Sequence, residues 1–155
     1  MRSSLLMFAG FLLLGILLGS CEAPVDRVLL RQDGLWEVQR AVYENYLDET
    51  FISSRDESQE GILNFLGAGT GQWIFPDSIL QDFAWSYESD DDIMYVQFSD
   101  PIFAGQTAFR FKVFENQRNR QVWQAEERFG VWNSLSRDSS EQRILVRWQL
   151  VREEE

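Results

Sequence analysis

Residues 83–98 read Phe83-Ala84-Trp85-Ser86-Tyr87-Glu88-Ser89-Asp90-Asp91-Asp92-Ile93-Met94-Tyr95-Val96-Gln97-Phe98. Phe83, Trp85 and Tyr87 alternate with Ala84, Ser86 and Glu88. Successive side chains of a strand point to opposite faces, so this period-two pattern places the three aromatics on one face. The polar run Glu88-Ser89-Asp90-Asp91 then supplies a hairpin loop into a second strand, Ile93–Phe98. A tight hairpin with one aromatic face needs a core to cover that face.

The same period continues on both sides. Phe109, Phe111 and Val113 alternate with Ala108, Arg110 and Lys112, and Ile144, Val146, Trp148 and Leu150 alternate with Leu145, Arg147 and Gln149. Upstream, Trp36, Val38 and Val42 follow the pattern with Arg40 as an interruption. Thr50–Ser53, Gly61–Leu66, Gln72–Phe75 and Gln121–Phe129 complete a set of about nine short strands. Gly67-Ala68-Gly69-Thr70-Gly71 permits a tight reversal with positive φ. Asp26 is positioned to cap a short helix over Arg27 to Gln32, with Gly34 just past its end. No helical period of any length follows Gln32. The expected fold class is therefore all-β, an antiparallel meander closed into a barrel or stacked as a sandwich, with a short N-terminal helix.

The start of the chain has a different character. Arg2 precedes an apolar stretch from Leu5 to Leu18, 14 residues long. That is short of the ~20 residues a spanning helix needs, and the layout is that of a secretory signal. The stretch ends Leu18-Gly19-Ser20-Cys21, which resembles the bacterial lipobox. The resemblance implies lipidation of the Cys21 thiol, cleavage before it and acylation of the new amine. Residues 1–20 are then the signal peptide, 21–33 a lipidated tether with the short helix, and 34–155 the β domain. The expected location is the bacterial cell envelope, lipid-anchored in the outer membrane, with the periplasmic or surface face left open. Cys21 is the sole cysteine, so no disulfide is available to the chain.

Composition excludes several classes. With 14 basic and 25 acidic residues, and Arg2 lost with the signal, the mature chain carries 13 against 25, a formal net charge of -12. Such acidity argues against a nucleic-acid partner, which needs clustered cations. Histidine is absent, which removes imidazole-based nucleophile activation and the commonest metal ligand. Asp90-Asp91-Asp92 lacks the spaced acids and glycine of a calcium loop and reads as a solvated hairpin tip. Glu126 and Glu127 are adjacent on a strand and face opposite sides, so they cannot act on one substrate. No enzyme, metal or cofactor is expected.

Gly34-Leu35-Trp36 opens the first strand directly after the short helix, and in this it resembles the lipocalin family. Leu63-Asn64-Phe65 with the Gly67–Gly71 turn, then Phe83-Ala84-Trp85-Ser86-Tyr87, is similar to the lipocalin-like domains common in lipoproteins of Bacteroidetes. The resemblance spans about residues 33–151, and a Thr-Asp-Tyr segment of true lipocalins is missing. It implies an antiparallel barrel of about eight strands, and a basic residue packed over Trp36, for which Arg147 and Arg152 are the candidates.

An eight-stranded barrel is just wide enough to be filled by side chains or to hold one small ligand. Trp36, Phe83, Trp85, Phe111 and Trp148 fall on the apolar faces and are the candidate ligand-binding residues. The expected role is non-catalytic binding of a small apolar or amphipathic ligand inside the barrel. The alternative is a filled barrel that serves as a protein–protein interaction module of the envelope. Leu35, Tyr43, Tyr95, Phe114, Leu145 and Val151 lie on the opposite faces and would form its outer apolar patch.

Overall fold

The structure, a computed structural model, describes residues 24–133 and 138–152. Cys21 and residues 1–20, expected to be a signal peptide, lie outside them. The elements in chain order are helix α1 (Val25–Leu29) and strands β1 (Leu35–Leu47), β2 (Thr50–Ser58), β3 (Ile62–Leu66), β4 (Thr70–Ile74), β5 (Leu80–Glu88), β6 (Ile93–Phe98), β7 (Ala108–Asn116), β8 (Arg120–Asn133) and β9 (Asp138–Val151). Neighbours in sequence pair antiparallel from β3 through β9. The ring closes because β1 pairs with β9 along Glu37–Leu47 and with β3 at Leu35–Glu37. Eight strands, β1 and β3 to β9, thus form a closed antiparallel barrel. β2 pairs with β1 alone, on the same edge of β1 that β3 takes nearer its start, so β2 and β3 follow one another along one side of β1.

Three β-bulges interrupt the simple alternation, one of them at Ile52 where β2 pairs with β1. Trp36 and Val38 face the interior, but the register against β9 shifts between Val38 and Arg40. One extra residue, Gln39, reverses the phase of everything after it. Ala41 and Tyr43 therefore point inward, both at 0% exposure, while Val42 turns to the outer face beside Arg147. Tyr43 thus belongs to the core and not to the outer patch. Another bulge lies between Val113 and Glu115, at Phe114.

α1 also differs from the sequence expectation. It begins directly after Pro24, with no side-chain cap, and Asp26 sits inside its first turn. Its apolar positions i, i+3 and i+4 are Val25, Val28 and Leu29, all buried. Burying that face under the barrel sets the helix two residues earlier than capping chemistry alone suggests. α1 closes the end of the barrel where β1 begins and β9 finishes. Gly34 then turns the chain into β1 at φ +74°, where a Cβ would stand 2.0 Å from the Phe65 carbonyl oxygen.

Candidate functional site

Two regions can bind something: the barrel interior and its outer wall. β3 to β9 each contribute inward side chains at every second residue, and the interior that results is aromatic. Phe111 and Trp148 have ring centres 4.8 Å apart, and Trp73 lies 5.1 Å from Trp148. Phe83 meets Phe65 at 5.3 Å and Phe98 at 5.7 Å. Trp36, Phe111 and Trp148 are completely buried, and Phe83 is nearly so. Trp85 points inward but is only half-buried, with its ring centre 5.5 Å from that of Phe65 in an edge-to-face arrangement and its indole N–H donating to the Thr70 carbonyl at 2.8 Å. It sits at the rim near the β3–β4 turn.

The five candidate residues therefore join one core, together with Trp73, Trp123, Phe65, Phe98, Phe109 and Met94. Trp73 and Trp123 carry the same alternation as the five and were legible in it. Each indole N–H finds an oxygen: Trp36 donates to Leu29 O, Trp73 to Glu60 O, and Trp148 to the Tyr43 hydroxyl. At the opposite end from α1, the β6–β7 connection folds inward and Phe103 packs on Tyr43 at 5.0 Å. Side chains in ring contact from wall to wall, at these exposures, fill the space that a ligand would occupy.

Room for small molecules lies on the outside. A depression of about 480 Å³ has Ala84, Ser86 and Ala108 in its lining, beside Tyr95 and Arg110. Another, of about 580 Å³, includes Leu35, Ile62, Val151 and Arg152. Leu35, Tyr95 and Phe114 are exposed on the outer faces, while Leu145 and Val151 are half-covered. The basic side chain over Trp36 is Arg152 and not Arg147, which instead donates to Gln124 on the outer wall.

The charged groups form solvated pairs. Arg128 binds Glu126, Glu141 and Glu49, and these carboxylates hold its guanidinium charged well above the ordinary range. Arg40 holds the Asp56 carboxyl below its usual value through a bidentate pair. All these groups are substantially exposed, so such pairs contribute little to stability. Glu126 turns to Arg128 while Glu127 accepts the Arg110 backbone N–H, so the two carboxylates are directed apart. Asp92 accepts the Tyr87 hydroxyl and faces Lys112. Among the described residues, no group of three or more His, Cys, Asp or Glu is arranged to hold a metal ion.

Family models, curated proteins and solved structures were compared with this chain, and none matches it.

β2 is the remaining unusual element. Thr50, Phe51, Ile52, Ser53 and Ser54 are exposed in succession, with Phe51 and Ile52 more than half accessible. One edge of this segment pairs with β1, and the other pairs with none of the described strands. Its charged residues lie farther along: Arg55 with Glu57 and Glu60, and Asp56 with Arg40.

Proposed function

We propose that the protein is a membrane-anchored, non-catalytic binding module of the bacterial cell envelope, built on a lipocalin-like barrel, and that it binds another envelope protein through the free edge of β2. The observation that carries this reading is that edge. An unpaired strand edge is a template for a further strand, and natural proteins usually guard it with Lys, Pro or inward charge. Thr50–Ser54 carries no Lys, Pro or charge, and its one irregularity is the bulge at Ile52. Main-chain hydrogen bonds from an added strand would supply affinity, and Phe51 and Ile52 would supply side-chain contacts.

The filled interior supports placing the binding outside. A ligand pocket is ordinarily a concavity of several hundred Å³ that encloses most of its ligand. Here that volume is taken by Trp73, Trp148, Phe98 and Phe111. The Gly-x-Trp opening of β1 and Arg152 stacked on Trp36 support the lipocalin-like part of the reading.

A photo-reactive residue placed at Ser53 in cells tests the proposal. The expected result is one protein crosslinked at 53, lost on Ile52→Lys, with no crosslink from Lys112 on the far wall. Native mass spectrometry of the envelope-purified protein gives the opposing outcome. A stoichiometric small-molecule adduct with no protein partner would transfer the function to the interior.

A further inference from the structure

The barrel end that carries α1 has apolar side chains that are exposed among the described residues. Leu30 is 41% exposed, Leu66 41% and Phe114 65%. Leu30 directly follows α1, Leu66 ends β3 and Phe114 lies near the end of β7, all at this end of the barrel. Phe114 is the bulged residue of β7, extra to the register between Val113 and Glu115. Bulges re-aim side chains, and this one leaves a phenyl ring in solvent. Pro24, where the tether leaves the domain, lines the same depression as Phe114, about 310 Å³ in volume.

The length of chain beyond Pro24 decides what this end faces. Cys21 is three residues away, and at 3.8 Å between successive Cα atoms the span is at most about 11 Å. An acyl chain on Cys21 would hold Pro24, and Phe114 beside it, within that reach of the bilayer interface. We infer that the α1 end of the barrel rests on the membrane that carries its own anchor, with Phe114 and Leu30 inserted at the headgroup–acyl boundary. This rests on the lipoprotein reading of Cys21.

Charge selects the kind of surface. Arg27, Arg31 and Arg118 are exposed at this end, but so are Asp90 and Asp91. Mixed signs give no net attraction to anionic lipid, so the matching surface is zwitterionic phospholipid and the contact is apolar. An inserted aromatic beside the tether also fixes the domain's orientation, and so holds the β2 edge at a set height.

Acylation blocks the sole native cysteine, so a new cysteine takes a spin label uniquely. Phe114→Cys and Trp132→Cys are equally suitable sites, since Trp132 is also 65% exposed and lies toward the opposite end, near the β8–β9 connection. The mature lipidated protein is bound to phosphatidylcholine vesicles, and each label is probed with oxygen and with a water-soluble nickel complex. The expected result is a label at 114 at least about threefold less accessible to nickel than the label at 132, with oxygen accessibility raised. Intact mass and vesicle flotation report the anchor separately. A label at 114 as open to nickel as that at 132, on protein that carries its acyl chains and floats, would overturn the inference and leave the lipoprotein reading standing. An unmodified Cys21 would overturn both.

Discussion

The Arg152 guanidinium lies 4.2 Å from the centre of the Trp36 ring. It also donates to the carbonyls of Val28, Leu29 and Leu35, and Leu29 O accepts the Trp36 indole N–H as well. One cation thus ties the end of β9 to the start of β1 and to α1. Burial lowers its pKa from the ordinary arginine value, helped by Arg31 and Arg118, yet the group stays charged at any physiological pH.

Arg152→Ala should cost about 1–3 kcal/mol, because it strips a stacked cation and leaves helix carbonyls with fewer donors. Arg152→Lys should recover little of this, since an ammonium cannot reproduce the planar fork. Urea unfolding of the soluble domain checks both. A loss below ~0.5 kcal/mol for the alanine variant, the size of an ordinary surface change, would show that α1 is held by its apolar face alone.

The glycines of Gly71-Gln72-Trp73 and Gly130-Val131-Trp132 should respond oppositely to alanine. A Cβ at Gly71 would lie 2.2 Å from the Phe83 ring and 2.8 Å from the Asn64 carbonyl oxygen, whereas at Gly130 it meets nothing within 4 Å. Gly71→Ala should cost about 1–3 kcal/mol by overpacking. Gly130→Ala should be neutral or slightly stabilising, since it restricts only the unfolded chain. Equal midpoints for the two variants would contradict the close approach at Gly71.

Trp148 and Trp85 share the aromatic interior but not its depth. Trp148→Ala should cost ~3–5 kcal/mol, as for a fully buried ring. Trp85→Ala should cost less, about 2 kcal/mol, because part of its surface remains in water and one hydrogen bond is lost. In a filled barrel Trp85→Phe leaves the titration of an apolar dye unchanged. Weakened dye binding in that variant would instead reveal an accessible pocket behind the rim.

Burial first of all raises the Tyr43 pKa above its ordinary 10.0, against smaller opposing effects from the Trp148 hydrogen bond and from Arg55. The folded state therefore holds this proton more tightly than the unfolded chain does. Its contribution to stability is complete below about pH 10 and is lost as pH climbs through the raised folded value. Denaturation midpoints should be flat up to pH 9 and fall above about 10, and Tyr43→Phe should lessen that alkaline loss. An identical alkaline slope in the variant would exclude Tyr43 as its source.

Cys21→Ser should abolish incorporation of a fatty-acid analogue and leave unprocessed precursor in cells, because lipidation precedes cleavage. Equal labelling of wild type and variant would contradict the anchor.

Much of the barrel was legible locally. Phe83, Phe111, Val146 and Trp148 announce their inward faces because alternation is a property of the strand itself, and one polar face against one apolar face needs no knowledge of neighbours. The hairpin over Glu88–Asp92 and the Gly67–Gly71 reversal were likewise carried by their own residues. The candidate residues were legible as a set, but whether they enclose space was not. That depends on Trp73, Trp123, Phe98 and Met94 arriving from other strands to occupy the same volume.

The sequence by itself determined an all-β chain, its turns, and which side of most strands is apolar, because those follow from residue type at a spacing of two. Tertiary structure alone decided three things. The bulge at Gln39 reversed the phase of β1 and buried Tyr43, since a register is set by the partner strand. Pairing of β1 with β9 closed the ring, since closure depends on which distant edges meet. Arg152 was chosen over Arg147 as the partner of Trp36, since a cation 116 residues along the chain finds the indole only when β9 comes to lie beside β1.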